Sequence, residues 1–355
     1  MKEFFEKQLD AILSGDESTL AYPSAVLEEK LKAFPPHLFK YRDCKKEYNF
    51  AMIEDEYLWA DIPANFYDPY DSLVNLKLRS ELPNIQKWLY SHLGEIIYYC
   101  IPPKGMQPHK WGQTLQVYVD AQQRFSDATG RYSAKKARKI MVAETRKLNP
   151  INQREIQKVY DSFESAEFEQ KMQEAVQNIL LKIVNALRDK NLVCCLTQRK
   201  DNQKMWEEYA DKYAGFVIEY DLSAALQKSD VEKVLARTFP VSYYKRMPTV
   251  PLLPFIEQSF YRDLYNRNVD VLDASKKLLK QLLIKKYEYS NEEEWRILSS
   301  EQKILFPAIS AIYMGYKIND ADASRLLQIC GRKKIPIYKQ QFNPFTATME
   351  FIQIT

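Results

Sequence analysis

Glycine and histidine are scarce in this chain of 355 residues, which has eight glycines and three histidines. Neither GxGxxG nor GxxxxGK[ST] can be written with these glycines, so the usual sequence signature of a Rossmann site or a P-loop is missing. The histidines, His37, His92 and His109, all lie in the first third, and none of the five cysteines forms a Cys-x-x-Cys pair. A structural zinc site is therefore not expected, and we predict no metal.

Long apolar runs are also missing, because no stretch approaches the roughly 20 apolar residues of a membrane span. The first residues, 1–13, form an amphipathic helical pattern without the apolar core and cleavage site of a signal peptide. Scattered cysteines in a chain of this kind are typical of reduced thiols. We therefore expect a cytoplasmic location and no membrane partner.

The charge balance is close to even, with 51 basic and 47 acidic side chains and a net charge of +4. This excess is small for a dedicated nucleic-acid-binding protein. One local basic run, Lys135–Lys139, is followed by Arg146 and Lys147. We interpret the run as a solvated helix face, with an RNA or phosphate contact as the alternative.

Strand and helix patterns occur along the chain in an order that predicts an α+β fold with a mainly antiparallel sheet. Strands are predicted near Leu38–Arg42, Tyr57–Ala60, Val193–Thr197, Phe216–Tyr220, Phe239–Tyr244, Glu292–Leu298, Ala311–Met314, Ile335–Tyr338 and Met349–Ile354. Helices are predicted near residues 2–14, 24–33, 49–56, 271–286 and 321–330. We divide the chain into N-terminal helices and first core strands (1–71), a large helical insertion (72–190) and the rest of the core (191–355).

The late acidic segment 292–298 reads as a strand whose alternate side chains share one face. Glu292, Glu294 and Arg296 would then point to one side, while Trp295 and Ile297 enter the core. Two carboxylates beside a guanidinium can hold a cationic group or a sugar. The alternative is an acidic helix N-terminus, which suits the helix dipole.

The early segment Leu38–Arg42 alternates basic and aromatic side chains in the same way. Lys40 or Arg42 could donate to a phosphate, and an aromatic neighbour such as Tyr41 could stack on a ligand. An exposed edge strand protected by charges is the alternative. A polar and aromatic turn follows at Asn65–Asp71, for which a purely structural role is also open.

Several motifs, in this order, resemble the prokaryotic family called domain of unknown function 2971. The matching segments are Leu38–Arg42, Leu58–Trp59, Phe66–Asp71, Cys195–Thr197, Met205–Ala210 with Gly215–Phe216, Glu292–Arg296 and Ile309–Gly315. They bracket residues 36 to about 340, and Tyr67 stands where the family usually has Asn. The long stretch 72–190 contains no recognised motif.

A second, looser resemblance is to the ADP-ribosyltransferase superfamily, whose order is a strand with a basic residue or His, a helix, a strand, a Ser/Thr strand and a late Glu strand. It implies NAD as the bound dinucleotide, with Lys40 or Arg42 at the adenosine ribose. Thr197 would support the nicotinamide side. Glu294 or Glu292 would stabilise the oxocarbenium-like ribose as nicotinamide leaves. The wider set of expected dinucleotide contacts is Lys40, Tyr41, Arg42, Trp59, Asp68 and Arg296.

These resemblances imply a bacterial effector of antiphage defence or toxin type that uses NAD to modify a nucleic-acid or protein acceptor. Two other hypotheses stay open. One is a non-enzymatic sensor of a phage protein or nucleic acid, based on the 24 tyrosines and the basic run. The other is a metal-dependent nuclease using Asp68, Asp71, Glu292 and Glu294, since oxygen-ligand magnesium sites leave little sequence trace.

Overall fold

The computed structural model describes residues 34–66, 68, 71–72, 85, 88, 166–225, 229–258 and 272–354. The predicted helices 2–14 and 24–33, the basic run Lys135–Lys139 and most of the predicted helical stretch 72–190 lie outside these ranges. The chain forms two compact units. One contains residues 1–75, 184–248 and 275–355, and the other contains 76–183 and 249–274. In the second unit, Leu252 and Ile256 are buried.

The described helices and strands cover most of the first unit. The α-helices are α1 (Glu47–Glu54), α2 (Ala166–Lys190), α3 (Gln203–Glu208), α4 (Leu222–Ala225), α5 (Ser229–Ala236), α6 (Leu272–Lys280) and α7 (Asp320–Lys333). The strands are β1 (His37–Arg42), β2 (Tyr57–Trp59), β3 (Leu192–Thr197), β4 (Phe216–Asp221), β5 (Thr238–Pro240), β6 (Ser242–Tyr244), β7 (Ile284–Lys286), β8 (Glu294–Ser299), β9 (Lys303–Leu305), β10 (Ile309–Met314), β11 (Ile337–Asn343) and β12 (Thr348–Gln353). Short 3-10 helices lie at Pro63–Asn65, Gln281–Leu283 and Tyr287–Glu292.

The main sheet has the strand order β12-β11-β10-β4-β1-β3-β8-β5. Neighbouring strands run antiparallel, except for the parallel pair β10 and β11. Two small sheets accompany it, an antiparallel pair of β2 with β9 and a parallel pair of β6 with β7. The predicted α+β class with a mainly antiparallel sheet is confirmed.

Both faces of the main sheet are packed against apolar side chains, which explains why its strands read clearly in the sequence. One face contributes Leu38, Leu196 and Trp295 to the largest core cluster. The other face contributes Phe39 and Tyr41 to a smaller aromatic cluster. Burial on two sides makes strand positions apolar at nearly every residue, as in β4.

Two predicted strands differ from the structure in an informative way. The segment 239–244 is divided into β5 and β6, and Pro240 places β5 at the edge of the sheet, as a missing N–H requires. The prediction that Glu292 belongs to the late strand is wrong. Glu292 ends a 3-10 helix, Glu293 is left-handed at φ 43° and ψ 50°, and the strand begins at Glu294.

The central strands β1 and β3 touch at a single residue pair, although each is six residues long. Phe39 pairs with Thr197, and the two strands then diverge. On the far side of the gap, Asp61 takes the place of a strand partner by exchanging two backbone hydrogen bonds with Val193, of 3.1 and 2.9 Å. The sheet therefore contains a wedge-shaped opening between β1 and β3.

Candidate functional site

A cavity of about 450 Å³ opens at this wedge. Its walls come from β1, from described residues between Trp59 and Asp71, from β3, and from the acidic residues around the start of β8. The volume falls within the usual range for small-molecule sites. Four residues of the polar and aromatic turn predicted near Asn65–Asp71 therefore form part of a cavity wall: Asn65, Phe66, Asp68 and Asp71. Residues 67, 69 and 70 lie outside the described part of the chain.

Lys40 lies in the cavity wall and is only 7% exposed. Its Nζ donates to the carbonyl oxygen of Cys195 over 2.6 Å. This carbonyl belongs to β3 beyond the point where β1 diverges, so the side chain supplies a donor where the strand partner is missing. Burial, assisted by the charge of Arg42, lowers the pKa of Lys40.

Two further cations line the cavity on the β1 side. Arg42 donates from Nε to the sulfur of Met52 at 3.4 Å, and Lys46 lies 5.6 Å from the ring centre of Tyr48. Tyr48 stacks on Trp59 at a centroid distance of 5.3 Å. Within the described part of the chain, neither these two cations nor Lys40 has a carboxylate within ion-pair distance, although Asp43 and Asp61 also line the cavity. This side of the cavity therefore offers three cations that are not in ion pairs with described residues.

On the β8 side, a buried guanidinium organises the acidic residues. Arg296 donates from Nε to Glu294 (2.8 Å) and from Nη2 to Asp71 (2.6 Å). Its Nη1 donates to the carbonyl of Leu282 (2.6 Å) and to the hydroxyl of Ser72 (3.2 Å). Arg296 has no exposed surface, so these bonds replace the water that a guanidinium otherwise requires.

Lys285 approaches the same carboxylates from β7. Its Nζ lies 2.6 Å from Glu292 Oε2, 3.0 Å from Glu294 Oε2 and 3.7 Å from Asp71 Oδ2. We call the five side chains Asp71, Lys285, Glu292, Glu294 and Arg296 the acid cluster. Three carboxylates against two cations leave one uncompensated negative charge. Glu292 Oε1, which is buried, has no hydrogen-bond partner among the described residues.

The charges of the acid cluster depend on one another. Burial disfavours ionised Glu294, but Arg296 and Lys285 hold the pKa of that carboxyl well below its usual range. Burial would lower the pKa of Lys285, and the surrounding carboxylates reverse this and raise it. Burial raises the pKa of Glu292, with Lys285 opposing the shift. Glu294 is thus ionised at neutral pH, at the cavity wall.

The residues singled out from the sequence fall into three groups. Lys40, Tyr41, Arg42, Trp59, Asp68, Glu292 and Glu294 line the cavity. Arg296 is bonded to Glu294. Thr197 is buried with its hydroxyl donating to the carbonyl of Glu292 and accepting from the N–H of Arg199, so it holds the turn before β8.

Sequence reasoning missed Lys285 and did not connect Asp71 with Arg296. Lys285 fell within the predicted helix 271–286, whereas the observed helix α6 ends at Lys280 and β7 follows. Asp71 closes the polar and aromatic turn, which was a visible signal. Its partner lies 225 positions away, and no local pattern encodes such a pairing.

The described carboxylates of the acid cluster are arranged in ion pairs and not as metal ligands. Within the ranges that the structure describes, no group of three or more His, Cys, Asp or Glu side chains is arranged to hold a metal ion. Three of the four carboxylates proposed for a nuclease, Asp71, Glu292 and Glu294, are bound instead by the acid cluster's own cations.

Comparison with known proteins identifies a family. Residues 205–297 match the model of the family described as protein of unknown function (DUF2971). Neither the curated proteins nor the solved structures contain a match to the chain. In the described helices, none is both long and apolar enough to cross a membrane. The family resemblance predicted from the motifs is thus confirmed over residues 205–297, a segment that includes four of the five side chains of the acid cluster and is similar to the DUF2971 family.

Proposed function

We propose that the protein is an ADP-ribosyltransferase-like enzyme that binds NAD in the cavity and transfers ADP-ribose to a nucleic-acid or protein acceptor. The observation that carries this proposal is the adjacency of β1, β3 and β8 in the sheet. These strands contain the basic, Ser/Thr and Glu positions that the superfamily resemblance singles out. Lys40 from the first strand and Glu294 from the last border one cavity.

The distribution of charge in the cavity suits NAD. The β1 side presents Lys40, Arg42 and Lys46, which can donate to a diphosphate. The β8 side carries the uncompensated negative charge of the acid cluster, which attracts the cationic nicotinamide ring. Trp59, stacked on Tyr48, offers an aromatic surface for a base.

The reaction breaks the bond between ribose C1′ and the nicotinamide nitrogen. The bonding electron pair leaves with nicotinamide, and positive charge develops on C1′ and the ring oxygen. Glu294, held ionised by Arg296 and Lys285, is placed to stabilise that charge before an acceptor oxygen or nitrogen bonds to C1′ and releases its proton. Fixed charges in a poorly hydrated site act strongly because they need no reorganisation.

The other residues support this reaction by position. Thr197 holds the carbonyl of Glu292 and so orders the turn from which Glu294 emerges. Lys40 connects β1 to Cys195 across the wedge. We extend the proposal to a role as a cytoplasmic bacterial effector in antiphage defence or toxicity. That extension depends on the roles that the family resemblance implies and not on the geometry of the cavity.

The alternative of a non-enzymatic sensor depends on the basic run Lys135–Lys139, which lies outside the described residues. No contact among the described residues favours it over the enzyme. If it were correct, reversing the charge of this run would remove function while changes in the cavity would not.

The direct experiment is a mass-spectrometric assay for nicotinamide released from NAD, with cellular RNA, DNA or protein as acceptor. We expect Glu294→Gln to reduce release by about 10²- to 10³-fold, as for loss of one transition-state contact. The matched control is Glu293→Gln, because Glu293 is a neighbouring exposed glutamate whose one ion pair among the described residues is with Arg199 at 3.2 Å. Nicotinamide release that is equal in both variants, or absent from the unmodified protein with every acceptor, would contradict the proposal.

A further inference from the structure

Lys285 has a position unlike that of any other described lysine in the first unit. It is 5% exposed, yet its Nζ lies within 4 Å of three carboxylates, those of Asp71, Glu292 and Glu294. An ammonium has three N–H donors, so one lysine can serve three acceptors. The centre of the Tyr289 ring lies 5.0 Å from the same nitrogen, so the ring covers another side of the ammonium group.

The two cations of the acid cluster, Arg296 and Lys285, differ in the side chains that they bind. Arg296 is engaged by Glu294, Asp71, Ser72 and the carbonyl of Leu282, so its donors are occupied. It makes no bond to Glu292. The bond from Lys285, at 2.6 Å, is the only hydrogen bond or ion pair that the Glu292 carboxylate makes among the described residues.

Glu292 and Glu294 therefore depend on Lys285 for their relative position. The left-handed Glu293 between them turns the chain, so the regular alternation of a strand does not fix the two carboxylates. Lys285 links Oε2 of one to Oε2 of the other, over 2.6 and 3.0 Å. Both carboxylates and Lys285 itself border the cavity.

We propose that Lys285 is the positioning residue of this site, whose ammonium holds Glu292 and Glu294 in one ionised arrangement and so sets the pH range in which the site works. The inference about activity rests on the proposed NAD cleavage. Without the ammonium, two buried carboxylates close to each other retain a proton, as like charges do at short distance.

Several other titratable groups face this ammonium and contribute to its field. Asp71, Arg296, Tyr209 and Tyr243 interact with Lys285 or with the two glutamates, and Lys204 acts on Glu292. The N–H of Glu294 donates to the hydroxyl oxygen of Tyr243 over 2.8 Å. Only Arg296 and Lys285 form ion pairs with Glu294 in the described residues, so removal of Lys285 leaves one.

The test compares the pH dependence of nicotinamide release in Lys285→Met with that in Lys286→Met. Lys286 is the next residue, and its exposed side chain lies 3.7 Å from exposed Glu288. We expect the acid limb of the profile to move up by about one to three pH units in Lys285→Met, the range for an opposite charge at this distance. Lys286→Met keeps the wild-type limb. A general loss of activity with an unmoved limb would assign Lys285 a merely structural role and overturn the proposal.

A second pair of variants covers the case in which Lys285→Met folds poorly. Lys285→Arg keeps a cation, so we expect its acid limb to stay at the wild-type pH. The double variant Lys285→Met with Glu292→Gln removes one charge of each sign, so its limb should return toward wild type. A double variant with the same limb as Lys285→Met would show that the two residues are not coupled, which the proposal does not permit.

Thermal unfolding across pH 4 to 8 tests the inference without NAD. A carboxyl whose folded-state pKa is raised stabilises the protein below its unfolded pKa, and this stability is lost as pH rises through the folded pKa. The gap in unfolding temperature between wild type and Lys285→Met should therefore widen as pH rises. A constant gap overturns the role of Lys285, whereas absence of nicotinamide release from wild type overturns only the proposed reaction.

Discussion

At the residue scale, Arg296 shows how a charge can be kept where there is no water. Its neighbours accept from every nitrogen of the guanidinium, and burial is complete. Breaking such an arrangement is costly because it leaves buried carboxylates without enough partners. The arrangement is therefore a strict structural requirement whatever reaction the cavity supports.

We expect Arg296→Met to lower the free energy of unfolding by about 3–5 kcal/mol, as when one partner of a buried ion pair is removed. Arg199→Met is the control. Arg199 pairs with Asp201 at 2.9 Å and with Glu293 at 3.2 Å, but these are exposed pairs worth about 0–1 kcal/mol. Urea denaturation of both variants checks the difference. Similar losses would show that the acid cluster contributes no more than surface charge.

The sequence allowed Glu294 and Arg296 to be singled out, because two charged residues alternate there with Trp295 and Ile297. It did not allow Lys285 to be found. A single lysine after an apolar run has no distinguishing pattern, and its importance arises from carboxylates brought together by folding. The same holds for Ser72, whose hydroxyl contacts Arg296.

At the element scale, one glycine sets how closely two segments approach. Gly215 directly precedes β4. A Cβ atom there would collide with the carbonyl oxygen of Arg42 and lie 3.0 Å from that of Ala210. The obstacles are backbone atoms, which cannot move aside like a flexible side chain. A larger residue would thus displace the end of β1, where the basic side of the cavity begins.

We expect Gly215→Ala to destabilise the protein by about 1–3 kcal/mol, the usual cost of overpacking. Gly331→Ala is the opposite case. Gly331 lies within α7 with no atom near the added carbon, so alanine should stabilise by about 0.5–1 kcal/mol through helix propensity. Thermal unfolding of the two variants gives the sign of each change in stability. A stabilised Gly215→Ala would refute the packing argument.

Elements buried on both faces were predictable, since β3 is apolar up to its last residue, Thr197, and β4 is apolar except for Glu219 and its last residue, Asp221. The ends of elements that pair with distant strands were not predictable in this way. The helix predicted for 271–286 ends at Lys280, because β7 is needed to pair with β6. The apolar residues Leu282 and Leu283 fit a helix or a turn equally well by pattern alone.

At the scale of the whole molecule, ligand binding should appear as stability. A ligand that binds only the folded state stabilises it by about 2.7 kcal/mol at one hundred times its dissociation constant. We expect NAD to raise the unfolding temperature of the protein. We expect a smaller rise in the unfolding temperature of Lys40→Met. Each rise is measured against the same protein without ligand.

Lys45→Met is the control for this measurement. Lys45 is exposed and paired with Asp211 at 2.7 Å, so its loss should leave the NAD-induced rise unchanged. Equal rises in Lys40→Met and Lys45→Met would place the diphosphate away from the β1 side of the cavity. Differential scanning fluorimetry with and without NAD provides the comparison.

The order of strands in space could not be derived from their order in the chain. The resemblance to the ADP-ribosyltransferase superfamily implied that β1, β3 and β8 contribute to one site, and in the structure these three strands are neighbours in the main sheet. The divergence of β1 from β3 had no sequence signal, since both read as ordinary buried strands. Where the strands have diverged, Asp61 occupies the pairing position at Val193.

The single backbone pair between β1 and β3 also has a mechanical consequence. The two halves of the main sheet share one rung, Phe39 with Thr197, instead of a continuous ladder. The bond from Lys40 Nζ to the carbonyl of Cys195 is a further link between the two strands, made by a side chain and not by the backbone. A small rotation about the rung would change the width of the opening while leaving the strand pairs β1–β4 and β3–β8 intact.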